Sequence, residues 1–227
     1  MIPNPRGDRR LRRVGLLGGS FNPAHDGHRH VAEQVRRALR LDEVWLLVSP
    51  GNPLKPRAGM APFAARLASA RAVADGRRIV ATGIEAALRT TYTIDTLAAL
   101  RRRFPRTRFV FVIGADNLAQ LPRWAGWARL AARTPLAVLP RPGWTRRALA
   151  GQAAQRLARH RRRPGALLAG PRPTHAPWAF VPAAEHPASA TAIRAGLVLP
   201  VAAKPRRAAA WAALEPRWMQ PGATAAR

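Results

Sequence analysis

The chain has 227 residues, enough to bury a full core as one domain, and carries 39 basic against 11 acidic residues for a formal net charge of +28. It has no cysteine, which excludes disulfide frameworks, zinc ribbons and thiol catalysis. No apolar run approaches the ~18 residues of a membrane span, and Val14 to Gly19 is too short and glycine-rich for a signal-peptide core, so a soluble cytoplasmic protein is expected. The charge has two readings. Lys and Arg neutralise phosphates in nucleic-acid binders. Yet all of the basic residues except Lys55 and Lys204 are Arg, and Ala and Pro are abundant too. That bias runs through the whole chain and favours compositional drift, so no nucleic acid is expected as partner; the surplus would still draw in small anions.

In chain order, apolar runs at Val14–Leu17, Val44–Val48, Ile79–Ala81, Phe109–Ile113, Leu136–Leu139 and Trp178–Val181 predict strands. Several lack any polar interruption, as expected of strands covered on both faces. Between them, Val31, Val35, Ala38 and Leu39 mark a helical stripe within a helix from His28 to Leu39. Ile94, Leu97, Ala98 and Leu100 mark another, with Thr93 as its cap and Pro105 beyond its basic last turn. Strands alternating with helices predict βα units and a parallel sheet. A further helix is expected from Thr145 to about Arg159, followed by a flexible connection. The expected organisation is a basic tail over 1–10, a single domain over 11–214 with an Arg-rich insert at 144–176, and a second tail over 215–227.

Gly18-Gly19-Ser20-Phe21-Asn22-Pro23-Ala24-His25-Asp26-Gly27-His28 joins the first strand to the first helix. Ligands of open α/β sheets bind beyond the carboxyl ends of strands, often at a helix N-terminus with unpaired N–H groups. Gly18 and Gly19 let a phosphate come close to the backbone. The segment matches neither the dinucleotide fingerprint nor the P-loop. In place of the P-loop lysine it has His25 and His28, which at i and i+3 share a face and can both donate to one phosphate chain. The pair could instead ligate a metal, but no nearby residue completes such a site. His30 lies off that face and is expected to be solvated.

Gly18 to His28 resembles the GG[ST]F[DN]PxHxGH signature of the nucleotidylyltransferases, which bind ATP at this turn. That resemblance implies ATP contacts for Gly18, Gly19, Ser20, Phe21, His25 and His28. Two hydroxyls and an arginine in Ser189-Ala190-Thr191-Ala192-Ile193-Arg194 could hold a pyrophosphate or form an ordinary capping turn. The segment is similar to the [IS]S[ST]xxIR motif that closes over the β- and γ-phosphates, which implies that role for Ser189, Thr191 and Arg194. Ala190 stands where Ser or Thr is frequent, and no role is assigned to it.

Phe109 to Asn117 reads as a buried strand ending in Gly-x-Asp. Gly114 permits close approach of a ring or ribose, and Asp116 can accept from hydroxyls, orient a cation, or cap the next helix. Trp124 and Trp127 follow, and a Trp beside a cleft can stack on a heterocycle. Ile113 to Trp127 resembles the IGxDxLxxLxxWxxW segment of the bacterial nicotinate-nucleotide adenylyltransferases, and Thr91 to Leu97 resembles their SYTxxTL segment. Val48 to Lys55 is similar to their second strand and following loop, and Arg141-Pro142-Gly143 to their RPG turn.

The resemblance spans nearly all of 14 to 197. It implies a Rossmann-like doubly wound parallel sheet with helices on both faces and a small C-terminal helical portion. It also implies adenylyl transfer from ATP to nicotinate mononucleotide, with Mg²⁺ bridging phosphate oxygens. His25, His28 and Arg194 are the implied catalytic groups. Gly114 and Asp116 are implied in ATP binding, and Asn52, Lys55, Thr93 and Trp124 in mononucleotide binding. A sister enzyme using another phosphate acceptor, such as nicotinamide mononucleotide, is the alternative, ahead of a basic nucleic-acid-binding protein.

Overall fold

A computed structural model of the chain describes residues 2–51, 58–170, 174–184 and 190–194. Six strands form one sheet: β1 (Arg13–Gly19), β2 (Glu43–Val48), β3 (Ile79–Thr82), β4 (Arg108–Gly114), β5 (Leu136–Leu139) and β6 (Trp178–Phe180). Their order is β3-β2-β1-β4-β5-β6 and every pairing is parallel. β1 sits near the middle, Leu16 facing Trp45 of β2 on one side and Phe111 of β4 on the other. The chain steps outward to β3, returns past β1 to β4, and steps outward again; this is the doubly wound order, whose reversal opens a crevice between β1 and β4. All six strands match the apolar runs. Their central residues are buried, as a parallel sheet with both faces covered requires.

The crossovers are α1 (Asp26–Ala38), α2 (Phe63–Val73), α3 (Ile84–Leu88), α4 (Thr93–Arg103), α5 (Ala115–Gln120) and α6 (Trp127–Arg133). Tyr92 occupies the N-cap of α4 and no side chain caps it. Thr93 is therefore the first helical residue rather than the cap. The helix expected from Thr145 to about Arg159 is broken into α7 (Thr145–Leu149) and α8 (Gln152–Arg156). Gly151 between them is extended at φ −80°, ψ 169°, which no helix can carry through. The connection beyond is also less free than expected. Trp178 donates its indole N–H to the Leu157 carbonyl, and Leu167 and Leu168 are buried in the core. A last short helix, α9 (Ala190–Arg194), closes the described residues. No helix among them is long and apolar enough to cross a membrane.

Residues 2 to 10 differ from the expected tail. Ile2 is buried in the core, and Asp8 accepts from the guanidinium of buried Arg12. Arg12 also reaches Glu43 at 3.0 Å and covers the Trp45 ring. A charged residue enters the core edge here because two carboxylates and an aromatic face receive it.

The arginine of α2 governs the upper rim of the sheet. Arg66 is 3% exposed and donates to four carbonyls: Ser20 (2.8 Å), Ser49 (2.7 Å), Pro50 (3.1 Å) and Ala61 (2.9 Å). It thereby ties the loop leaving β1 to the loop leaving β2. Arg66→Met should destabilise the protein by about 2–4 kcal/mol, because it strands buried carbonyls as well as removing charged hydrogen bonds. Urea unfolding followed by circular dichroism measures this, and a loss under 1 kcal/mol would refute the role.

Candidate active site

The β1–α1 turn is built by local hydrogen bonding of an unusual kind. His25 is the N-cap of α1, with extended backbone at φ −150°, ψ 172°. Its Nδ1 accepts from the Gly27 N–H at 3.1 Å, while the His25 N–H donates to His28 Nδ1 at 3.2 Å. The two histidines thus form a reciprocal capping box, a task more often given to Ser or Thr with Glu. With both Nδ1 atoms accepting, each neutral ring carries its proton on Nε2, which is the donor a phosphate oxygen needs. The rings lie 4.0 Å apart, His25 buried and His28 half-buried. His30, expected to be solvated, is half-buried and hydrogen-bonds the Ala184 carbonyl through Nε2 at 2.8 Å in an exposed contact.

Phe21 holds the turn in shape. It adopts φ 50°, an uncommon conformation for a bulky L-residue, and its buried ring packs 4.8 Å from His28 and against Gly19. Strain of this sort persists where the surroundings fix it, as here. Arg194 then crosses to this turn from far along the chain. Its Nη1 donates to the Asn22 carbonyl at 2.6 Å and its Nη2 to Thr191 Oγ1 at 3.3 Å. The structure therefore brings Thr191 and Arg194 to the histidine turn. Ser189, Asn52 and Lys55 lie outside the described residues.

A cavity of about 440 Å³ opens at the carboxyl ends of β1, β2 and β4. Gly18, Gly19 and Ser20 form one side, Thr91 to Thr93 another, and Phe111, Ile113, Asn117 and Trp124 contribute to the remainder. Trp124 is half-buried with its ring edge-on to Phe111 at 6.2 Å. Trp127 packs elsewhere, under the guanidinium of Arg156. His25, His28, Gly114, Asp116 and Arg194 border the turn and the strand end rather than this cavity. Gly114 has a steric reason of its own, since a Cβ there would collide with the Asp116 carboxylate. Asp116 lies in the first turn of α5, not at its cap, which is Gly114. Its Oδ1 is buried without a hydrogen bond among the described residues, and Arg141 Nε stands 3.6 Å from it.

Two residues of this rim escaped the sequence reading. Arg66 has no local mark among so many arginines. Glu85, in the first turn of α3, lines the cavity and accepts from Thr96 Oγ1 at 3.2 Å; Thr96 shares a 2.7 Å hydrogen bond with Thr90. Burial pushes the Glu85 carboxyl up to about 7, against the opposing pull of the Thr96 hydroxyl.

A doubly wound parallel sheet whose first strand feeds a histidine-capped helix, with a cleft at its switch point, defines a nucleotide-binding α/β protein. The comparisons with known proteins carry this further. The family pattern described as cytidylyltransferase-like matches residues 16–196. A probable nicotinate-nucleotide adenylyltransferase of Gluconobacter oxydans (strain 621H) is 58% identical over 184 residues, 80% of this chain and 93% of that one. Its counterpart from Gluconacetobacter diazotrophicus is 56% identical over 191 residues, 83% of this chain and 88% of that one. A Plasmodium falciparum nicotinic acid mononucleotide adenylyltransferase complexed with NaAD shares the fold, with a TM-score of 0.58 at 14% identity over 81% of this chain and 83% of that one. The chain belongs to the cytidylyltransferase-like family of nucleotidyltransferases and, within it, to the nicotinate-nucleotide adenylyltransferases.

The raised Glu85 carboxyl has a consequence for stability. From its ordinary 4.5 to about 7, the folded chain keeps a proton that the unfolded chain releases. The group's contribution is therefore fully present below about 4.5 and lost as pH rises through about 7. Glu85→Gln should be more stable than the parent at pH 8, by on the order of 2–3 kcal/mol, with the gain shrinking towards pH 5. Thermal unfolding at the two pH values checks it; equal gains at both would refute the raised carboxyl.

Proposed function

We propose that this protein transfers the adenylyl group of ATP to nicotinate mononucleotide, giving nicotinate adenine dinucleotide and pyrophosphate in NAD biosynthesis. The observation that carries the reading is the histidine-capped turn joined by Arg194, set beside an aromatic-walled cavity at the sheet's switch point. The identity of over half to curated relatives of this description supports the choice of acceptor.

The attacking group is the mononucleotide's own phosphate, already anionic, so no side-chain nucleophile is required. Catalysis then consists of in-line placement at the α-phosphorus and neutralisation of the charge that develops there. The Nε2 donors of His25 and His28 serve the α- and β-phosphate oxygens. Gly18, Gly19, Ser20 and Phe21 shape the turn around the phosphates, and Gly114 and Asp116 border the nucleoside. Arg194 with Thr191 and Ser189 receives the leaving pyrophosphate, Arg194 being pre-placed on the Asn22 carbonyl. Trp124 stacks on the pyridine ring, Thr93 meets its carboxylate, and Asn52 and Lys55 meet the acceptor phosphate.

The family resemblance implies Mg²⁺. Among the described residues no three His, Asp or Glu side chains gather into a cage. Asp116, whose Oδ1 is buried without a hydrogen bond among those residues and lies 3.6 Å from Arg141 Nε, is the carboxylate that would meet a hydrated cation beside the phosphates. When bound, the ion would neutralise phosphate charge.

Incubation with ATP, Mg²⁺ and nicotinate mononucleotide should release pyrophosphate, and release with neither this nor nicotinamide mononucleotide would reject the proposal. His28→Ala should lower turnover by on the order of 10²–10³, as for loss of one preorganised donor. The same change removes half of the capping box, at about 1 kcal/mol of stability. Near-normal turnover in a folded His28→Ala variant would remove His28 from the mechanism. Trp124→Ala should lower kcat/KM for the mononucleotide by about 10- to 100-fold, the worth of one stacked base, with little change in the KM for ATP. Equal losses for both substrates would refute the stacking role.

A further inference from the structure

Glu85 is an odd presence in a pocket meant for an anion. It is a half-buried carboxyl facing a cavity that, on the function proposed above, receives a pyridine ring bearing its own carboxylate. Its position is not accidental packing. Oε1 accepts from Thr96 on α4, and Thr96 is bonded in turn to Thr90, immediately before the Thr91–Thr93 segment that forms the same wall. The protein thus grips one carboxyl oxygen. Oε2 has no hydrogen-bond partner among the described residues, so it is the oxygen left to carry a proton and to meet a ligand.

We propose that Glu85 is a selectivity residue of the acceptor pocket, whose protonated carboxyl donates a hydrogen bond to the carboxylate of the mononucleotide's pyridine ring. An ionised Glu85 would face that group as a like charge and lose it, while accepting well from the amide N–H of a nicotinamide ring. Acceptor preference therefore turns over with the protonation of this one side chain. The surroundings leave it in control. Tyr92 and the exposed Arg123 line the cavity with it, Arg89 ends its own helix, and Asp95 and Arg101 to Arg103 lie on α4. β3 has no ionisable side chain, and β2 has only Glu43 at its far end. Burial is the larger influence on Glu85, and the Thr96 hydroxyl is the one that opposes it.

The inference rests on the proposed function, and its test separates the two. The measurement is kcat/KM for nicotinate and for nicotinamide mononucleotide, each with ATP and Mg²⁺, from pH 6 to 8.5. Ionisation of the acceptor phosphate, near pH ~6, is common to both and cancels in their ratio. In the parent protein the nicotinate-to-nicotinamide ratio should fall about tenfold across this range, the effect of roughly one unit of differential interaction. Glu85→Gln keeps an acceptor for Thr96 and a neutral donor for the ring, and should hold the ratio constant within about twofold. Thr96→Val removes the hydroxyl that favours the ionised form, and should move the midpoint to higher pH. A pH-independent ratio in the parent overturns the inference without recourse to any variant, as does a Glu85→Gln profile that repeats the parent's slope. Absence of turnover with either acceptor overturns the function itself.

Discussion

Arg66 reaches inward from α2 and gives its N–H groups to the carbonyls of Ser20, Ser49, Pro50 and Ala61. Those carbonyls belong to loops that must leave the sheet, turn, and still expose a catalytic surface. Loop backbone of this kind cannot satisfy its own polar groups, and burying it without partners would cost more than a domain of this size can spare. One guanidinium, with five donors in a fixed plane, satisfies several at once and sets the distance between the two loops. The cavity, the histidine turn and the path to Arg194 all hang from that rim.

On this frame the histidines do two things with two nitrogens each. Nδ1 of each ring is used to start α1, which fixes the tautomer and the ring position. On the proposed function Nε2 is the donor to phosphate, and a tautomer fixed beforehand is what preorganised electrostatic stabilisation requires. Helix capping and phosphate binding are then, on that proposal, one arrangement rather than two. Phe21, at positive φ, packs its ring on His28 and so backs the histidine pair.

Charge is distributed unevenly in its consequences. Among the described residues most of the arginines are solvated, and their summed field favours anionic substrates without choosing among them. A few buried and half-buried charges have particular tasks. Arg12 secures the N-terminal segment between Asp8 and Glu43, Arg66 secures the rim, and Glu85 stands as the acidic member of a cavity wall whose charged side chains are Glu85 and the exposed Arg123 among the described residues. In an interior where opposite partners are few, a carboxyl such as Glu85 settles its account with burial by keeping its proton.

The sequence by itself determined the strands, because runs such as Val44 to Val48 carry no polar residue and can only lie between two covered faces. It also determined the turn at Gly18 to His28, since glycine freedom, helix capping and histidine donors are properties of neighbours in the chain. The reading failed where the deciding contact was distant. Gly151 splits a segment whose composition favours one helix, and Ile2 with Asp8 draws a basic, tail-like stretch into the core. Neither Arg66 nor Glu85 differs locally from its exposed counterparts. Their burial is set by which loops and helices the doubly wound order stacks above them. Arg194 is the clearest case: its residue type and motif were legible, but only the folded chain could lay it on Asn22, because a hydrogen bond between residues so far apart exists only after the sheet has been assembled between them.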